Sequence, residues 1–212
     1  MIPLLHDFAD ETVLVVGGGP VGARKARRFA REARTVVVSP AFADRDFGDA
    51  ELVRAAPTPE TVGDWVARLA PALVVAATDD AAVNDAAETA AREAGALVNR
   101  ADEAGGRDAD SVVVPATVRD GSVVAAVATG GAAPALSKEL RRRIEREIEG
   151  AGAMADLVAE IRAEQKAAGM AATARRDRVR AVVDAPEVWK ALQDGVSNAR
   201  QEANRVMEAI DD

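Results

Sequence analysis

Residues Thr12–Arg31, TVLVVGGGPVGARKARRFAR, decide the fold. Thr12–Val16 is an unbroken apolar and β-branched run, the pattern of a parallel strand covered on both faces. Gly17, Gly18 and Gly19 end it. Pro20 then brings the fixed φ of a first helical turn. Ala23, Ala26, Phe29 and Ala30 recur at helical spacing, while Arg24, Lys25, Arg27, Arg28 and Arg31 take the opposite positions. The stretch predicts a strand, a glycine turn and a helix in immediate succession.

Gly17, Gly19 and Gly22 form G-x-G-x-x-G, and each glycine has its own physical reason. Gly17 permits the tight turn, Gly19 lets a pyrophosphate approach the backbone, and Gly22 lets the helix lie against the strand. A phosphate at Gly17–Gly22, beside Pro20 and Val21, meets unpaired N–H groups and the positive end of a helix dipole. The expected ligand is a dinucleotide.

Further buried strands are expected at Thr35–Val38, ending in Ser39-Pro40, and at Glu51–Ala55, Leu73–Ala77 and Ala96–Val98, which ends at Asn99. Helical segments separate them, up to Leu69 and then along the Ala82, Val83, Ala86, Ala87 and Ala90 face. This alternation predicts an α/β, Rossmann-like, doubly wound parallel sheet, whose ligands sit at the strand carboxyl ends. Those ends carry Ser39 and Pro40, then Ala77, Thr78 and Asp79, then Asn99 to Asp102. Where an NAD site often has an acid on the adenosine ribose, this chain has Ser39, so NAD and NADP are not separated by that position.

Asp102–Ser111 reads as a loop. Val112–Val114 with Pro115, and then Ser122–Thr129, read as two strands joined at Asp120-Gly121, and Pro134 opens a helix running to about Ile148. Beyond residue 150 the pattern is helical, with helices at Met154–Ala168 and Thr173–Val183 and at least one more in Pro186–Ile210. The expected divisions are 1–112, 113–150 and 151–212. The arginines of the Pro134 helix (Arg141, Arg142, Arg143 and Arg146) and the run Arg175–Arg180 read first as solvated faces.

The chain has 212 residues, a formal charge of −8, no cysteine and no tyrosine. Disulfides and thiolate metal sites are excluded, and the single histidine, His6, reads as a partly buried residue with no metal-binding partner, so no metal site is expected. The acidic balance argues against nucleic acid as a partner. No stretch has the length of a membrane span or the form of a signal peptide, which predicts a cytoplasmic protein.

VVGGGPVGARKARR at Val15–Arg28, AATDDAAVN at Ala76–Asn84, the pair Asn99 and Asp102, and VAAVATGGAAPALSKELRRRIE at Val124–Glu145 together resemble the precorrin-2 dehydrogenase and sirohydrochlorin ferrochelatase family, the NAD-binding module of sirohaem synthase. The resemblance covers roughly the first 150 residues. It implies oxidation of precorrin-2 to sirohydrochlorin with NAD, a homodimer built through the central segment, and in some members insertion of ferrous iron. It implies Asp102 as the catalytic residue, and Asn99, Thr129, Gly130 and Gly131 around the tetrapyrrole. The loop after Asp102 is longer than the family's and carries Asp108 and Asp110, which compete with Asp102; the Asn-x-x-Asp spacing favours Asp102.

Two other function classes share the glycine turn. A regulatory module would bind NAD without turnover, but the T-G-G-x-x-P pattern at Thr129–Pro134 favours the tetrapyrrole enzyme. An ordinary short-chain reductase needs a tyrosine that this chain lacks.

Overall fold

The computed structural model describes residues 3–102 and 111–211. The chain forms two compact units, residues 1–114 and 115–212.

In the first unit, strands β1 (Thr12–Val16), β2 (Arg34–Ser39), β3 (Glu51–Arg54), β4 (Leu73–Ala76) and β5 (Leu97–Arg100) alternate with helices α1 (Pro20–Phe29), α2 (Val62–Leu69) and α3 (Ala81–Glu93). All neighbouring strands pair in parallel, in the order β3-β2-β1-β4-β5. This is the Rossmann-like, doubly wound sheet that the sequence predicts. Its apolar runs serve both faces. Val13, Val15, Val37, Leu73 and Val75 pack with Ala23 and Ala26 of α1. Leu14, Val16, Val36, Val38, Val74, Ala76 and Val98 pack with α2 and α3. Each of these buried valines and leucines contributes about 1.5–3 kcal/mol of transfer free energy, and the alanines of α1 and α3 allow the helices to come close.

The second unit begins with a hairpin of β6 (Ala116–Asp120) and β7 (Val123–Val127). Its turn contains Gly121 at φ 54°. Helix α4 (Pro134–Glu147) lies against the hairpin, followed by α5 (Ala151–Ala167), α6 (Ala172–Asp184), α7 (Pro186–Gln193) and α8 (Val196–Asp211). Met154, Leu157, Ile161, Val182, Val188, Ala199 and Ala203 form the core of the last four helices. The hairpin meets α5 where Gly152 passes Asp120, so closely that a Cβ on Gly152 would stand 2.7 Å from the Asp120 carbonyl oxygen. Among the described residues no helix is long and apolar enough to cross a membrane.

Two expectations are corrected. The first hairpin strand is Ala116–Asp120, after Pro115 rather than before it, because Val112 is drawn to the sheet of the first unit, where its N–H donates to the Val98 carbonyl at 2.7 Å. His6 is exposed, its ring 4.3 Å from that of Phe8. The C-terminal segment, where at least one more helix was expected, makes two, divided at Gly195 (φ 118°), a conformation that suits glycine.

Candidate functional site

The glycine turn joins β1 to α1 at the point where strand order reverses. Gly17 has φ 118°, and its N–H donates to the Val38 carbonyl at 3.0 Å, so this donor serves the sheet. A Cβ on Gly17 would lie 2.4 Å from the Ala77 carbonyl oxygen, so the absence of a side chain lets the ends of β1 and β4 close on each other. Around Gly19 a Cβ would meet nothing within 4 Å. The turn is therefore packed on its inner side and open at Gly19, and helix geometry leaves the N–H groups of Val21 and Gly22 without intrahelical acceptors. Pro20, at the first helical position, has no N–H to waste. These residues fit a dinucleotide pyrophosphate.

Gly18 was not singled out by the motif, yet it is as constrained as Gly17. A Cβ there would lie 2.3 Å from the Ala41 carbonyl and 2.8 Å from Phe42, and its own carbonyl accepts from Ala43 N–H at 2.8 Å. The loop after β2 thus folds over the glycine turn. Ser39 belongs to this loop's root: it is 6% exposed, and its hydroxyl donates to the Ala41 carbonyl at 2.7 Å. Arg54 donates to the Pro40 carbonyl at 3.0 Å.

At the end of β4, Thr78 is tied to α3 by Asn84. Thr78 N–H and Oγ1–H both donate to Asn84 Oδ1, at 3.2 and 2.7 Å, and Asn84 Nδ2 donates back to the Thr78 carbonyl at 3.0 Å. The same Nδ2 donates to Asp102 Oδ2 at 3.0 Å. Contacts therefore run from Gly17 through Ala77 and Thr78 to Asn84 and Asp102. Asp79 is exposed, and Asp80 caps α3, accepting from the N–H groups of Ala82 and Val83 at 2.9 and 3.3 Å.

Asp102 also faces Arg100, whose Nε and Nη2 donate to its Oδ1 and Oδ2 at 3.0 and 2.8 Å. These bonds, opposed by burial and helped by Asn84, hold the Asp102 carboxyl below its usual range. The Arg100 guanidinium is in turn held protonated, chiefly by Asp102. Asn99 points to the other face of the sheet: it accepts from Lys25 Nζ at 2.8 Å and donates to the Val112 carbonyl at 2.7 Å. Asp108 and Asp110 lie outside the described residues.

Asn84, quoted only as the end of the Ala76–Asn84 motif, and Arg100 were given no role by the sequence. Each had a faint signal: a polar residue in the apolar Val83, Ala87, Ala91 stripe of α3, and a charge at the end of a buried strand.

In the second unit, Thr129 shares a hydrogen bond with Ser137 Oγ at 2.8 Å and donates to the Ala133 carbonyl at 3.3 Å, which shapes the turn into α4. Gly130 and Gly131 in that turn have φ 63° and 84°. The arginines of α4 pair partly with their own helix, Arg141 with Glu145 and Arg143 with Glu139.

Residues 4–116 match the model of the NAD(P)-binding family. A siroheme synthase of Methylococcus capsulatus is 34% identical over 204 residues, covering 94% of this chain and 42% of that protein. A precorrin-2 dehydrogenase of Methanosarcina barkeri is 33% identical over 150 residues, 68% of this chain and 65% of that one. The chain thus spans less than two thirds of the length of these curated relatives. The solved structure of SirC, a precorrin-2 dehydrogenase, aligns with a TM-score of 0.70 and 21% identity over 98% of this chain and 100% of that one, a likeness of fold.

Proposed function

The chain belongs to the NAD(P)-binding family, and we propose that it oxidises precorrin-2 to sirohydrochlorin with NAD as the acceptor. The observation that carries this reading is the run of contacts from the open glycine turn to a carboxylate: Gly17 against Ala77, Thr78 and Asp102 both bonded to Asn84. Relatives named siroheme synthase and precorrin-2 dehydrogenase support the choice of substrate.

Gly19, Pro20, Val21 and Gly22 would hold the pyrophosphate, with Ser39 and Pro40 towards the adenosine and Ala77, Thr78 and Asp79 towards the nicotinamide. When bound, the nicotinamide supplies the hydride acceptor. Precorrin-2 loses one hydrogen with its bonding pair and a second as a proton, and Asp102 is the base that takes the proton. Thr129, Gly130 and Gly131 would receive tetrapyrrole carboxylates on the backbone N–H groups before α4.

The segment 113–150 is the proposed dimer contact of a cytoplasmic homodimer. In its favour, α4 has no buried residue and Leu136 is 51% exposed. The test is anaerobic incubation of the purified chain with precorrin-2 and either NAD or NADP, following the absorbance of sirohydrochlorin, with a ferrous iron arm to read chelation. Turnover with NAD is expected. Absence of turnover with both cofactors sinks the enzyme reading and leaves the NAD-sensing module.

A further inference from the structure

Arg100 precedes Asp102 by two residues and is 5% exposed, with carboxylates on both edges of its guanidinium. One edge makes the two-pronged contact with Asp102. At the other edge, Nη1 donates to Asp85 Oδ1 and Glu88 Oε2, both at 2.7 Å. Asp85 and Glu88 are on α3, and Glu88 is itself held by Arg92 at 2.7 Å. A guanidinium is planar and its donors are fixed in direction, so a two-pronged contact sets the plane of the carboxylate as well as its place. The fork is thus held from behind by two carboxylates of one helix, of which Glu88 is mostly buried and Asp85 exposed. About a quarter of the Asp102 side chain, 26%, stays exposed.

We propose that Arg100 is a positioning residue: anchored on Asp85 and Glu88, it fixes the direction in which Asp102 presents its carboxylate to the substrate. The proposal rests on the dehydrogenase reading above. In that reaction a C–H bond of precorrin-2 breaks with its electron pair passing to the nicotinamide, and the accompanying proton passes to Asp102; Arg100 gives and takes none. Its bonds also favour the ionised carboxylate, so Asp102 is ready as a base down to lower pH than an unpaired aspartate.

Among the described residues, the charged groups facing this pair are Asp85 and Glu88 of α3, with Arg92 behind Glu88. Asp80 at the start of α3 is turned to its own helix, and Lys25 of α1 engages Asn99.

The test uses the full chain with Arg100→Lys, which keeps the charge but loses the fork, and Arg100→Met, which loses both. Circular dichroism checks folding. Two readouts follow: kcat and KM for precorrin-2 against pH, and the carboxyl-carbon NMR titration of Asp102, assigned with Asp102→Asn. For Arg100→Lys we expect unchanged NAD affinity, kcat down about tenfold with KM altered less than about threefold, and the acid limb of kcat raised by about one pH unit in step with the titration. Arg100→Met should lose more of kcat, and lysine should restore part of it. A folded Arg100→Lys protein with wild-type kcat and acid limb overturns the proposal, as does an Asp102 titration that does not move. A wild-type chain without turnover overturns the dehydrogenase reading and this role with it, whereas turnover in wild type with an indifferent Arg100→Lys overturns this role alone.

Discussion

Gly22 lies so close to Gly17 that a Cβ on it would stand 1.9 Å from the Gly17 carbonyl oxygen. Two residues of one motif thus need glycine to fold, while Gly19 between them, open on its Cβ side and at φ −72°, does not. Valine at Gly19 would project into the space assigned to the pyrophosphate. We expect Gly19→Val to remain folded, with a stability change under about 1 kcal/mol, and to weaken NAD binding at least about tenfold by calorimetry. Gly22→Ala should instead lose about 2–3 kcal/mol in denaturant titration, since backbone must move to admit the methyl group. A folded Gly19→Val protein with unchanged affinity would place the cofactor elsewhere.

Asn84 is 1% exposed and makes four hydrogen bonds that join β4, α3 and Asp102. Leucine of similar volume would take from the half-buried Thr78 N–H and carbonyl the partner that Asn84 gives them. The expected loss is about 2–4 kcal/mol for Asn84→Leu, read from urea unfolding. A loss under about 0.5 kcal/mol would mean that Thr78 finds other partners.

Arg100 lowers the Asp102 pKa in the folded chain, so the unfolded chain binds the proton more readily. The stabilisation from this carboxylate is therefore complete above about pH 4, the ordinary aspartate value, and is lost as pH falls through the lower folded-state value. Wild type should exceed Asp102→Asn by about 2 kcal/mol at pH 7. That gap should narrow on acidification towards pH 3 in denaturant titrations. A gap constant across this range would show that the pair adds nothing through ionisation.

The first unit was legible because its signals are local and repeated: apolar strands, the glycine turn, and alanine-faced helices all carry their pattern in a few consecutive residues. Val112–Val114 misled because three valines look like a strand wherever they fall, and only the sheet edge at Val98 decides that Val112 joins the first unit and that β6 starts after Pro115. The glycine motif was legible as far as Gly17, Gly19 and Gly22. What it could not disclose was contact between distant segments, such as Ala41 over Gly18. Arg100 escaped for the same reason, since its meaning comes from Asp85 and Glu88 on another element.

Thr129 is the residue of the second unit most open to a charge test. Its hydroxyl bonds Ser137 and the Ala133 carbonyl, a local role that serine can keep. Aspartate there would still accept from Ser137 and would sit favourably near the start of α4, so folding should survive. Against a polycarboxylate substrate the added negative charge should raise KM for precorrin-2 about tenfold or more with NAD affinity unchanged. If Thr129→Ser and Thr129→Asp give the same KM, the tetrapyrrole carboxylates lie away from this turn.

Asp102 is proposed as the base because it stands just past the β5 carboxyl end, on the side of the sheet where ligands of this fold bind, and because the chain offers no tyrosine or cysteine for the task. Its pairing with Arg100 makes it a weaker base than a free aspartate, so its value must come from placement: a carboxylate already aimed at the proton avoids the entropic cost of finding it. Asp102→Ala should cut kcat about a hundredfold or more, leave NAD affinity within about twofold, and remove the acid limb that the carboxylate imposes. Asp102→Glu, with its longer side chain set against the same arginine, should recover little, since reach is then wrong by about the length of one methylene. Asp108→Ala and Asp110→Ala are the controls, because the loop after Asp102 brings two further carboxylates into the same stretch of sequence. Near-normal turnover in Asp102→Ala, with loss of activity in either control, would move the catalytic role from Asp102 into that loop.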